Sequence, residues 1–383
     1  MAYSERALTG LIPTVYTALD VVSRELVGLI PSVQRDSTAD RAAKDQTITC
    51  PVVGALTASD IAPSMAVADP TADAIGKVDL SISNSKRVII PWSGEETVRV
   101  GSQYQRILQD QMAQGFRVLA NTIESDLAGL HIYASRAYGV SNAQPFASDF
   151  GDAAQIRKIL DDNGAPLTDR FMVLSTAAGA RFRTLSKANE RGTDSMERQG
   201  VLLDIHGMAV RESGQIKQAV TAGSGANATT DTTGYAVGST TITLASAGTG
   251  TLIAGDVISF ANDPHKYVLV AGDTNVANGG TITLAAPGLR RAIPASATNI
   301  TVLAAVDRSM AFSRNAILLA TRLPSLPAMG DSAVDRMVVT DPRSGLSFDM
   351  AVRLGDHMAQ IELGISWGVK MVKPEHCALL VGA

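Results

Sequence analysis

Apolar residues recur at three- and four-residue steps over two stretches of the chain. Tyr104, Leu108, Met112, Phe116, Leu119, Ile123, Leu127 and Leu130 are spaced 4, 4, 4, 3, 4, 4, 3. That spacing puts them on one stripe of a helix within 96–135. At 1.5 Å per residue such a helix is roughly 45 Å long, beyond the usual three or four turns. The steps do not keep a strict heptad, so the pattern predicts a rigid strut rather than half of a coiled coil. Leu11, Val15, Leu19, Val22, Leu26 and Ile30 predict a second, N-terminal helix over 11–30. Its apolar face must dock on its own chain or on a partner.

Strict alternation marks the tail. Leu346, Phe348, Met350, Val352 and Leu354 alternate with other residues, and so do Ile361, Leu363, Ile365, Trp367, Val369 and Met371. This predicts a long hairpin with one buried face, joined by 355–360. Two more strand-like runs lie earlier, TITCPVV and the stretch Lys77–Trp92. A polar run, QRDSTADRAAKDQ, precedes them, and a loop rich in Ala, Pro, Asp and Ser separates them. The pair predicts an extended hairpin or arm with too little apolar surface to fold alone, so it would lie on a neighbouring subunit.

Between these parts the chain changes character twice. Residues 151–220 read as an α/β block. A helix from Asp152 to Leu160 stops at Asn163-Gly164, the strand FMVLS follows, and another helix runs around Ala177 to Leu185. A charged loop, KANERGTDSMERQG, leads to a short hairpin around His206-Gly207. Residues 218–306 are rich in Ala, Gly, Thr, Ser and Asn and carry little charge. Strand-sized pieces recur there near every ten residues, and TITL occurs at 241–244 and again at 281–284. The pattern predicts a small antiparallel β-barrel or sandwich inserted into the α/β region. Ser309 to Leu323 reads as a helix ended by Pro324 and Pro327.

Composition narrows the function classes. The chain has 383 residues, of which 45% are hydrophobic and 18% charged, so it is not disordered. Length alone predicts two to three folding units. Lys plus Arg is 33 against Asp plus Glu at 37, a net charge of −4. A dedicated nucleic-acid binder would carry a positive excess, and aromatic residues at 4% are too few for base-stacking platforms. The first 31 residues hold five charges and two prolines, and no later stretch reaches about 18 uncharged apolar residues, so a soluble protein without a membrane span is expected. Cys50 and Cys377 are far apart and read as two free thiols of a reducing compartment.

Reaction chemistry finds little support. Phosphate-loop, dinucleotide, nucleophile-elbow and zinc-protease motifs are missing. His131, His206, His265, His357 and His376 are dispersed, with no second His at metal-ligand spacing. His376 beside Cys377 suggests a nucleophile pair, but neighbours on a strand point to opposite faces. Asp161-Asp162 reads as a helix C-terminal turn rather than a catalytic pair. Asp256, Asp263 and Asp273 lack the order of a calcium loop and read as turn residues capping backbone amides. Arg41, Lys44, Lys86 and Arg87 are the candidate charge contacts between subunits, with solvated surface charge as the alternative. No catalytic, cofactor or metal residue is assigned.

The order of parts resembles the major capsid proteins of tailed bacteriophages, with the HK97 (Hong Kong 97) fold, and most of all the Salmonella short-tailed phage coat protein type, which carries an inserted β-barrel domain. FRVLANTIESDLAGL is similar to that family's spine helix, and STTITLASAGTGTLIAGDVISFAN to its inserted domain. DRSMAFSRNAILLATR is similar to the helix after the insertion, and GISWGVKMVKPEHCALLVG to the closing strand. The resemblance implies an α+β, HK97-like major capsid fold with N-arm, extended E-loop, spine helix, P- and A-domains and an inserted small β-barrel or sandwich. The parts would be 1–35 N-arm, 36–92 E-loop, 93–150 spine and peripheral domain, and 151–217 axial domain. The insert would span 218–306, and axial and peripheral parts with the closing hairpin 307–383. It further implies a structural protein, not an enzyme, assembling as pentamers and hexamers into an icosahedral head. Scaffolding and portal proteins would be partners. Packaged double-stranded DNA would be held only non-specifically, with assembly in the host cytoplasm and a final place in the virion. A β-rich decoration or tail protein is the main alternative, and an α/β hydrolase with an inserted lid a weaker one.

Overall fold

The computed structural model describes residues 15, 27–52, 76–140, 143–188, 204–216, 220–304, 306–341 and 345–382. The expected N-terminal helix falls mostly outside them, although Val15 is helical and buried, and Ile30–Ser32 forms a 3₁₀ turn. The tip of the expected arm (53–75) and the charged loop at 189–203 also lie outside.

Two sheets organise the chain. The first is built from β1 (Gln34–Ala42), β4 (Asn84–Ser93), β14 (Ile317–Pro324), β15 (Ala333–Thr340), β16 (Ser347–Gly355) and β17 (Met358–Met371), in the order β1-β14-β17-β16-β15 with β4 also on β17. Among the described residues the arm strands β2 (Thr47–Val52) and β3 (Gly76–Ser81) pair only with each other. The second sheet holds ten strands. β5 (Arg136–Gly139), β6 (Arg170–Leu174), β7 (Ala209–Glu212), β13 (Asp307–Ser313) and β18 (Cys377–Gly382) form its body. Strands β8 (Thr241–Leu244), β9 (Val257–Phe260), β10 (Lys266–Ala271), β11 (Gly280–Leu284) and β12 (Ile300–Val302) come from the inserted region. Helix α1 (Gly94–Val100) precedes the long α2 (Tyr104–Gly129), and α3 (Gly151–Asp162) and α4 (Thr176–Ala188) pack on the second sheet.

The expected strut is α2, 26 residues and about 39 Å long. It starts later than the apolar pattern suggests. Ser93 and Glu96 form a capping box on α1, and Gly101 at φ +58° breaks the path before Tyr104. The apolar stripe Leu108, Met112, Phe116, Leu119, Ile123 and Leu127 is buried against β4 and β17, with the Phe116 and Phe348 rings 4.9 Å apart. Gly115 lets the helix come close: a Cβ there would lie 2.9 Å from Leu363 Cδ1.

Several expectations change. Ser309–Leu323 is not a helix but strands β13 and β14, linked by a 3₁₀ turn at Arg314–Ala316. The same correction applies to DRSMAFSRNAILLATR, likened above to a helix. Both strands are buried on both faces, so their sequence has no polar side to display a two-residue period. The polar run after Val33 is the strand β1, parallel to β14. The stretch Lys77–Trp92 is two strands, parted at Ile82 and Ser83. The closing hairpin pairs Gly355 with Met358 and turns at Asp356-His357, tighter than 355–360. Its middle is buried on both faces, not one.

The two TITL copies are partners. Ile242 faces Ile282, and Thr241 and Thr243 face Thr283 and Thr281 in an antiparallel pair. Both isoleucines are fully buried in a cluster with Leu244, Leu284, Phe260 and Tyr267. The inserted region thus has its own core. Its strand β10 also pairs with β5, Lys266 opposite Ala137 and Tyr267 opposite Arg136, so its sheet continues into the body.

Candidate functional site

The dispersed histidines stay dispersed, and among the described residues no group of His, Cys, Asp and Glu is placed to hold a metal. Cys377 is fully buried and burial pushes its thiol up to about 12, so it is not a poised nucleophile. Asp256 accepts from the Gly223 and Ile253 amides, Asp263 from the His265 amide and Tyr267 hydroxyl, and Asp273 from the Asn275 amide. These are the capping roles expected of turn aspartates. Asp161 and Asp162 end α3 and bind Arg170 and Arg136. Among the described residues no helix is long and apolar enough to cross a membrane.

Organised polar structure lies on the first sheet instead. Its face away from α2 carries a chain of ion pairs. Arg41 binds Asp349 at 3.0 Å, Asp349 also binds Arg336, and Arg336 binds Asp331. Asp331 binds Arg353 at 2.7 Å, Arg353 binds Glu362 at 2.9 Å, and Glu362 binds Arg87 at 3.3 Å. The Ala333 amide and the flanking arginines hold Asp331 below the usual carboxylate range, and Glu362 raises Arg353.

Two of the four basic residues singled out from sequence are therefore the ends of one ladder. Arg41 also donates to the Pro324 carbonyl. Arg87 is more than half exposed. Lys86 points to the opposite face, its Nζ 5.6 Å from the centroid of the Trp367 ring. Lys44 is exposed in the turn after β1. Sequence reasoning missed Asp331, Arg336, Asp349, Arg353 and Glu362. The signal was present in part, since Asp349 and Arg353 occupy the polar face of a strand whose apolar face was recognised.

Two carboxylates on α2 tie elements together. Asp126 Oδ2 accepts from Trp367 Nε1 and Asn84 Nδ2, both at 2.8 Å, and locks α2 to β17 and β4. Glu124 is fully buried and accepts from the Ile30 amide (2.7 Å), the Leu29 amide (3.1 Å) and the Ser213 hydroxyl (2.7 Å). One side chain thus joins the strut, the N-terminal segment and the loop after β7. The arm root docks through Leu80 and Ile82, buried against Ala42, Leu318 and Ala320, with Lys370 Nζ on the Asp79 carbonyl at 2.7 Å. Beyond that root, β3 is mostly exposed.

Comparison with known proteins finds likenesses in structure alone. The chain is similar in structure to a chain from Mycobacterium phage Che8, at 13% identity and a TM-score of 0.45, covering 88% of this chain and 85% of that one. A capsid structure of the cyanophage P-SCSP1u is similar at 10% identity and TM-score 0.45, over 92% and 86%. A virus-like particle from Pyrococcus furiosus is similar at 7% identity and TM-score 0.41, over 96% and 98%. No protein-family model matches the sequence, and neither does any curated protein. At TM-scores below 0.5 these likenesses leave the functional reading to the chain's own geometry.

Proposed function

We propose that this chain is a coat protein of the HK97-like kind, whose copies form pentamers and hexamers in an icosahedral head around double-stranded DNA. The observation that carries this reading is the arm. Among the described residues β2 and β3 pair with nothing but each other, and only Leu80, Ile82 and their neighbours at the root are packed. A lone two-stranded ribbon is marginal in water, so it needs a surface that another molecule supplies. The strut α2 and the ion ladder give the sheet beneath the arm the stiffness to pass load between copies.

Heterologous contacts of this kind close a shell when one subunit can serve slightly different neighbours. Arg41, Lys44, Lys86 and Arg87 are proposed as contacts between copies, with Arg87 and Lys44 the most exposed. The inserted region, with its own core and its pairing to β5, is proposed to brace the subunit, as in the Salmonella short-tailed phage type. Scaffolding and portal proteins, assembly in a host cytoplasm and a final place in the virion follow from the same resemblance. Size-exclusion chromatography with negative-stain microscopy tests the proposal. Curved shells or large rings of this subunit are the expected result, and a chain that stays solitary with its helper proteins would sink it.

A further inference from the structure

The net charge of −4 does not prevent arginines from gathering locally. Arg35 is on β1, which lies beside the turn between β13 and β14 that carries Arg314, and Arg211 on β7 feels the charge of both. Arg211 and Arg314 both lie over Phe171, their Cζ atoms 5.4 and 5.1 Å from the ring centroid. Arg35 Nη1 runs past Gly345, where a Cβ would stand 3.0 Å away. Arg41, Arg136, Arg170, Arg322 and Arg353 each place their guanidinium on a carboxylate. Arg35, Arg211 and Arg314 do not: among the described residues none of their guanidinium groups has a hydrogen-bond or ion-pair partner, and Arg314 Nε is buried without one.

The nearest carboxylates do not fill this role. Glu124 is taken up by backbone amides and Ser213. Asp204 is felt by Arg211 less strongly than Arg314 is, and Asp341 by Arg35 less strongly than Arg314 is. Burial and this mutual repulsion lower Arg35 and Arg211 from their ordinary values, yet an arginine keeps its charge at neutral pH. Like charges held together beside only weaker counter-charges favour an incoming anion.

We propose that Arg35, Arg211 and Arg314 form an anion site for the phosphodiester backbone of nucleic acid. The assignment rests on the shell reading, which puts nucleic acid beside this chain. Guanidinium edges match phosphate oxygens two at a time. Phe171 is only 5% exposed, so no ring is offered for stacking a base, and recognition would be blind to sequence.

Fluorescence anisotropy of a labelled duplex of about 20 base pairs, titrated with the unassembled full-length subunit over about 50–200 mM salt, tests the site. Three phosphate contacts predict a log–log salt slope of about −2.7, at about 0.9 per contact. Arg35→Gln, at an exposed position, should reduce the slope by about 0.9, and Arg35→Lys should keep it. A wild type that does not bind the duplex, or an unchanged slope in Arg35→Gln, would overturn the site. Displacement of the duplex by poly-glutamate at equal charge would also overturn it, in favour of an acidic protein partner. Negative-stain images of the same preparations separate the two proposals. Intact shells with an unchanged slope reject the arginine site alone, whereas wild-type chains that never assemble reject the shell reading whatever the slope.

Discussion

Glu124 shows how much one side chain can organise. Its partners at Leu29, Ile30 and Ser213 lie 95, 94 and 89 residues away in sequence. Burial raises the carboxyl above its ordinary value, and the donors at Ile30, Ser213 and Leu29 pull it back only in part. The folded chain therefore holds this proton more tightly than the unfolded chain. The linked stability is fully present below the unfolded value of about 4.3 and is lost as pH rises through the higher folded value. Glu124→Gln removes that ionisation and sets an amide N–H₂ where one oxygen had accepted from Leu29 and Ser213. A buried donor left without an acceptor costs about 1–3 kcal/mol. Urea midpoints over a pH series measure both effects. The variant should be less stable at neutral pH and should lack the wild-type decline that begins above about pH 4.3. Equal midpoints with parallel pH profiles would mean that Glu124 does not clasp the N-terminal segment.

At the scale of elements, the join between arm and sheet is the most exacting contact. Gly368 on β17 sits under β3, and a Cβ there would stand 2.1 Å from the Ser81 carbonyl oxygen. That oxygen is backbone and cannot swing aside, so Gly368→Ala must lift the arm root or shift β17. Overpacking of this kind costs about 1–3 kcal/mol. Limited proteolysis should cut the arm of this variant faster than the body, and equal cutting rates would show that the root does not depend on the close approach. Gly368 carried no mark in the sequence that set it apart from other glycines. Elements with one polar face did carry such marks. The stripe from Leu108 to Leu127 and the alternation from Leu346 to Met371 gave α2, β16 and β17, and the paired TITL copies gave the core of the inserted region. Strands β13 and β14 were misread because Met310, Phe312, Leu318 and their neighbours are apolar and buried whichever way they point. Strand β1 was hidden by the opposite cause, since residues such as Gln34 and Arg35 are exposed and its parallel partner lies about 280 residues later. The ion ladder was legible only at its ends, Arg41 and Arg87, because its middle is assembled from strands that meet in the fold and not in the sequence.

For the whole molecule the question is what the arm is for, and its geometry allows a clean test. Val52 faces Gly76 in the last pair of the β2–β3 ladder. Deleting 54–74 leaves Val53 and Ile75 as a two-residue link across that pair. Changing them with Val53→Asn and Ile75→Gly supplies the turn that two-residue hairpins favour. Everything that ties the root down stays in place, namely Leu80 and Ile82 in their apolar cluster and Lys370 on the Asp79 carbonyl. Burial of two such side chains contributes about 1.5–3 kcal/mol each, and none of it is removed by the deletion. The shortened subunit should therefore fold with a stability within about 0.5 kcal/mol of wild type by urea titration, the range for changes away from the core. Microscopy of the same material should find no stable shells, because the proposed contact from one copy to the next is gone. Shells in wild-type yield and with wild-type heat resistance would show that the arm is dispensable, and the contacts between copies would then have to be sought on the sheet and the inserted region.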